Sequence, residues 1–155
     1  MDIGDLLADG GVVLRSGASS KRQALHVVAD AAAQALGMSE ARVLEALLER
    51  EALGSTGLGS GVAVPHARLE GVGRVTAVFV RLDTPVAYGS VDDRPVDLLF
   101  ALFAPPSDGA EHLRALAAVS RALRSSEMRE QLRQAHTTDA IRALFVRDQV
   151  PATAA

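Results

Sequence analysis

The chain has no cysteine, so disulfides and thiolate metal sites are excluded. It has no tryptophan, one tyrosine and four phenylalanines in 155 residues. Aromatics this scarce leave no base-stacking surface for single-stranded nucleic acid, and the core falls to Ala, Leu and Val. Positive charge is not in excess. A net charge of −3 and a pI near 5.8 argue against a nucleic-acid footprint, and the 16 basic residues form no long run. No stretch is long and apolar enough to span a membrane. The opening Met1-Asp2-Ile3-Gly4-Asp5 is acidic and lacks a signal-peptide pattern, so the expectation is a soluble cytoplasmic protein. What is abundant is apolar: 48% of the residues are hydrophobic. That suits a single globular domain over residues 1–155, with a disordered tail over about 150–155.

Periodicity divides the chain into three parts. Gly11–Leu14 reads as a short edge strand. Ser19 and Ser20 offer an N-cap, and Leu25, Val28, Ala29, Ala32 and Leu36 follow at helical spacing until Gly37. Ser39 caps a second helix with Val43, Leu44, Leu47 and Leu48 on one face, which Gly54 ends. The middle changes period. Val62–Val64 and the β-branched run Arg74–Leu82 read as strands. Pro85 and Tyr88-Gly89-Ser90 mark a loop. Pro95–Ala104 is almost continuously apolar, as a central strand covered on both faces would be. After the break at Pro105–Gly109 the chain turns helical again, with a stripe of Leu113, Leu116, Ala117 and Leu123. Ser126 and Thr138 are candidate caps for two further helices. This order predicts an α/β fold, a small mixed β-sheet flanked by helices on both faces.

The stretch GSTGLGSGVAVPH, Gly54–His66, carries the chemistry. Its glycines reach backbone angles other residues resist and expose N–H groups, and successive free N–H groups make an anion nest. Ser55 and Thr56 either bind phosphate oxygens or cap the loop. Pro65 fixes its own φ and biases Val64 to extended geometry, so the approach to His66 is stiff. A positioned imidazole beside such a loop can act as a nucleophile for phosphoryl transfer. The same residues also fit a structural turn that carries a surface histidine. The stretch is not a nucleotide P-loop: no lysine follows the glycines, and Lys21 is the only lysine in the chain. Nor is it a dinucleotide fingerprint, because the strand follows the glycines where it should precede them.

Residues 50–66, REALGSTGLGSGVAVPH, resemble the active-site segment of phosphotransferase-system enzyme IIA domains of the fructose/mannitol type. Within that family the likeness is greatest to nitrogen-regulatory members. It continues through Val80–Val86, Arg94–Leu102 and Glu111-His112-Leu113, so it spans nearly the whole chain. The resemblance implies that His66 accepts a phosphoryl group from an HPr-type phosphocarrier, without a metal or organic cofactor. His112 matches the family's second histidine, which would orient the site or hydrogen-bond the phosphoryl group. Arg50 matches an active-site arginine that would offset its charge. The loop residues Ser55, Thr56, Gly57, Gly59 and Gly61 are then the candidate phosphoryl-binding loop. Ala67 departs from the glycine usual after the histidine; Arg68 stands where a basic residue is common.

The resemblance therefore implies a phosphotransferase component, a phosphohistidine carrier that is primarily regulatory. Its phosphorylation state would control partners such as transporters or sensor kinases. The alternative is a sugar-specific IIA component that passes phosphate to a IIB domain; the lack of a further transport domain favours the regulatory role. A binding module whose surface is switched by phosphorylation is a second class, compatible with the first. A metal hydrolase built on His66 and His112 is a third, opposed by the missing carboxylate set and HExxH pattern. His26 is read as exposed and His136 as lying at a helix end, where a cation suits the dipole; neither is given a role.

Overall fold

A computed structural model describes residues 2–147; the tail expected over about 150–155 lies outside them. After a short 3-10 turn at Ile3–Leu6 come strand β1 (Leu7–Ser16) and helices α1 (Lys21–Leu36) and α2 (Glu40–Ala52). Four short or long strands follow: β2 (Gly57–Gly59), β3 (Val62–Ala63), β4 (His66–Arg68) and β5 (Thr76–Val86). Strand β6 (Val96–Ala104) and helices α3 (Gly109–Leu123), α4 (Ser126–Gln134) and α5 (Thr138–Arg147) complete the fold.

The sheet is mixed, in the order β1-β5-β6-β3-β2, with β4 also paired to β6. Strand β1 runs parallel to β5, β5 antiparallel to β6, and β3 and β4 parallel to β6. The apolar run of β6 is explained by its position: it is central and buried on both faces. Leu98, Phe100, Leu102 and Ala104 belong to one core, with α3, α4 and α5. Leu99, Ala101 and Phe103 belong to the other, with α1 and α2. The expected sheet with helices on both faces is what forms.

Local signals hold at most helix ends. Ser20 and Ser39 accept hydrogen bonds from the N–H groups of Gln23 and Arg42. Gly37 closes α1 in the left-handed conformation. Several expectations need correction. The caps of α4 and α5 sit one residue earlier, at Ser125 and Thr137, whose hydroxyls accept from Met128 N and Ala140 N. Strand β1 is longer than Gly11–Leu14 and is bulged at its glycines. Pro85 lies inside β5, tolerated because the ladder to β6 is irregular between Arg81 and Val86. On α3 the expected stripe holds at Leu123 and in part at Leu116 but fails at Leu113 and Ala117. His112, Ala115, Val119, Ala122 and Leu123 are buried, while Leu113 and Ala117 are exposed.

Candidate functional site

Three elements converge at one sheet margin. Strand β4 lines the margin of β6 there, with His66 opposite Leu102. Helix α2 arrives from one face of the sheet and α3 from the other. The last turn of α2 supplies Arg50, and the first turn of α3 supplies His112. Pro65 holds this junction, its carbonyl accepting from Leu102 N at 2.9 Å. The rings of His66 and His112 lie 5.4 Å apart, tilted by 57°.

Hydrogen bonding fixes the state of His66. Its Nδ1 is 2.8 Å from the Val64 carbonyl. A carbonyl only accepts, so Nδ1 carries the proton. Nε2 then keeps a lone pair, and it accepts from Arg50 Nε at 3.2 Å. The other end of the guanidinium donates to the Gly54 carbonyl at 2.7 Å. Burial holds the His66 pKa below the usual histidine value; the Arg50 charge lowers it further, against the Val64 hydrogen bond and the Glu51 charge. The imidazole is therefore neutral at pH 7.

His112 is more buried, at 4% exposure, and its Nδ1 has no hydrogen-bond partner among the described residues. Burial pushes its pKa down to about 4, helped by the neighbouring His66 and Arg68. Arg68 lies beside the start of α3, where a side-chain carbon at Gly109 would stand 3.2 Å from its guanidinium. Arg50, His66, Arg68 and His112 line a shallow cavity of about 440 Å³. Its apolar walls include Leu53 and Leu113, which are 86% and 64% exposed. Part of the expected α3 stripe thus belongs to this cavity: Leu113 faces it, and Leu116 lines it while packing against the core. Among the described residues, no three His, Asp or Glu side chains are grouped to hold a metal ion.

The structure brings His66, His112 and Arg50 together, but it separates them from much of the glycine stretch. Gly57 and Gly59 pair with Ala63 and Val62 in a two-stranded hairpin. Ser60 and Gly61 form its turn, both at positive φ (57° and 82°), as a type I′ hairpin requires. Gly59 abuts the Asp92 carboxylate, and Gly61 abuts Asp97 and Arg133. Val62 pairs with Leu98 and His66 with Leu102, so the hairpin turn lies about 13 Å from His66 along β6. Ser55 and Thr56 lie between. The Ser55 hydroxyl donates to the Tyr88 carbonyl at 3.1 Å, and Thr56 hydrogen-bonds the Glu51 carboxylate. His26 is exposed and contacts Glu40 at 2.7 Å; His136 is exposed. Glu51 and Tyr88, which prove to be neighbours of the site, have no local signal in the sequence.

The family model described as "Phosphoenolpyruvate-dependent sugar phosphotransferase system, EIIA 2" matches residues 5–147. A nitrogen regulatory protein of Bradyrhizobium diazoefficiens is 42% identical over 155 residues, all of both chains. The crystal structure of nitrogen regulatory protein IIA-Ntr from Neisseria meningitidis superposes with a TM-score of 0.87 at 35% identity. It covers 92% of this chain and 98% of its own. The IIA mannitol structure from Escherichia coli gives a TM-score of 0.74 at 25% identity, over 88% and 96% of the two chains. No helix among the described residues is long and apolar enough to cross a membrane.

Proposed function

Because the chain belongs to the EIIA 2 family of the phosphoenolpyruvate-dependent sugar phosphotransferase system, we propose that His66 is its phosphoryl acceptor. The donor is a phosphohistidine carrier of the HPr type, and the phosphorylated and free forms act differently on partner proteins. The observation that carries this reading is the paired hydrogen bonding of His66. Val64 holds the proton on Nδ1, and Nε2 presents its lone pair beside a guanidinium.

The step balances without a cofactor or an added base. The Nε2 lone pair attacks phosphorus and forms the new N–P bond. The donor's N–P bond breaks, and its electron pair returns to the donor ring. His66 keeps its Nδ1 proton on Val64 throughout. Arg50 turns from Nε2 to the transferring oxygens and offsets their charge. Neutral His112 offers one further N–H, and Arg68 adds positive charge on the α3 side of the cavity. The exposed Leu53 and Leu113 flank His66 as an apolar seat for the donor. The strong likeness to nitrogen regulatory proteins supports a regulatory output over sugar uptake.

Intact mass after incubation with phosphoenolpyruvate, enzyme I and an HPr-type carrier tests the acceptor. Wild type is expected to gain one acid-labile phosphoryl group, His66→Ala none, and His112→Ala one formed more slowly. A folded wild-type protein that takes no phosphoryl group from several carriers would overturn the reading.

A further inference from the structure

Next to Arg50 on α2 is a carboxylate that faces the opposite way, into the protein. The Glu51 side chain is only 5% exposed, yet it is fully partnered. Lys21 Nζ lies 2.9 Å from Oε1. The Thr56 N–H donates to the same oxygen at 3.0 Å. The Thr56 hydroxyl donates to Oε2, and the Tyr88 hydroxyl reaches Oε2 at 3.3 Å. Thr56 and Tyr88 hydroxyls are themselves 3.1 Å apart, and Lys21 sits 4.4 Å from the centre of the Tyr88 ring. Burial of a carboxylate is tolerated only with such a complete set of donors.

These bonds close a loop around the end of α2. Glu51 is the helix-side anchor, and Thr56 is the loop-side anchor. The turn between them contains Gly54, whose carbonyl holds the far end of the Arg50 guanidinium. Arg50 therefore has two supports: His66 Nε2 at one end and a carbonyl placed by the Glu51 clamp at the other. We infer that Glu51 is a positioning residue for phosphoryl transfer: by clamping Thr56 it fixes the Gly54 carbonyl that holds Arg50 against His66. This rests on the proposed role of His66 and adds to it a residue that never touches the phosphoryl group.

A carboxylate kept only for stability would act independently of Arg50, and a double-mutant cycle separates the two cases. Phosphoryl acceptance from an HPr-type carrier is measured for wild type, Glu51→Gln, Arg50→Ala and the double variant. Arg50→Ala is expected to slow transfer by roughly 10- to 100-fold, as loss of one charge-stabilising donor does. Glu51→Gln is expected to slow it by about 10-fold, in the rate at saturating donor and not in the half-saturating concentration. The double variant is expected to be no slower than Arg50→Ala. Full activity in Glu51→Gln, or losses that multiply in the double variant, would overturn the inference. Should Glu51→Gln not fold, Thr56→Val removes the hydroxyl's bond to the carboxylate and its contact with the Tyr88 hydroxyl, and enters the same cycle.

A second readout does not need transfer at all. The nitrogen-15 shift of His66 Nε2 reports the hydrogen bond from Arg50. Glu51→Gln or Thr56→Val is expected to move it toward the Arg50→Ala value. An unmoved shift in both counts against the clamp. A wild type that takes no phosphoryl group defeats the reading of His66, and this shift still decides whether Glu51 holds Arg50 in place.

Discussion

At the residue scale, His112 is a buried base whose Nδ1 has no hydrogen bond among the described residues, and its pKa near 4 has a thermodynamic consequence. In the unfolded chain the ring titrates near 6.5. Above that pH neither state binds the proton, and the group does not affect stability. As pH falls below 6.5 the unfolded state takes up a proton that the folded state refuses, so stability is lost. The loss is complete near pH 4 and reaches about 3 kcal/mol at most. Denaturant unfolding at pH 7 and pH 4.5 measures it. Wild type is expected to lose more stability across that interval than His112→Asn, which has no proton to take up. Equal losses would mean that the ring is not held neutral.

At the scale of elements, the β2–β3 hairpin shows what glycine was needed for. Gly61 has φ of 82°, and an added Cβ would lie 2.3 Å from Arg133 Nη2 and 3.1 Å from Asp97 Oδ1. Arg133 pairs with Asp97 and donates to the Ser60 carbonyl, tying the hairpin to α4. Gly61→Ala is expected to cost about 1–3 kcal/mol through backbone strain and the displaced guanidinium. The folded variant is expected to accept phosphate at close to the wild-type rate, since the turn is remote from His66. Calorimetry and the mass assay read the two effects; a large rate loss would return the turn to the active site. This is also where sequence reasoning reached its limit. Helix ends at Ser20, Gly37 and Ser39 were legible because capping is local chemistry. The glycine stretch was not, because a free N–H nest and a tight hairpin demand the same positive φ and the same missing Cβ. The stripe on α3 failed for another reason. Small Ala115, Val119 and Ala122 suit close packing on β6, while the larger Leu113 was left for the cavity and Leu116 sits between cavity and core. His66 stood out through its long motif; Glu51, Tyr88 and Lys21 meet only after folding and are invisible in the string.

At the scale of the molecule, the site joins the two cores. Arg50 belongs to the α1–α2 side and His112 to the α3–α5 side, and His66 lies on the strand between them. Leu53 and Leu113 bring one exposed apolar side chain from each side to the rim. If the donor seats there, Leu113→Glu is expected to raise the half-saturating donor concentration by roughly 10-fold, with the saturated rate within about 2-fold of wild type. Acceptance measured over a range of carrier concentrations tests this, and a loss confined to the saturated rate would count against an apolar seat. The Lys21–Glu51 pair bears on how any such partner can be measured. Lys21 is the only lysine in the sequence, so every amine-directed dye, cross-linker or sensor-surface coupling that reaches a side chain must consume the cation of that pair. Labels of this kind would report on a protein whose clamp they had altered, and a cysteine introduced far from β4, into a chain that has none, is the cleaner handle.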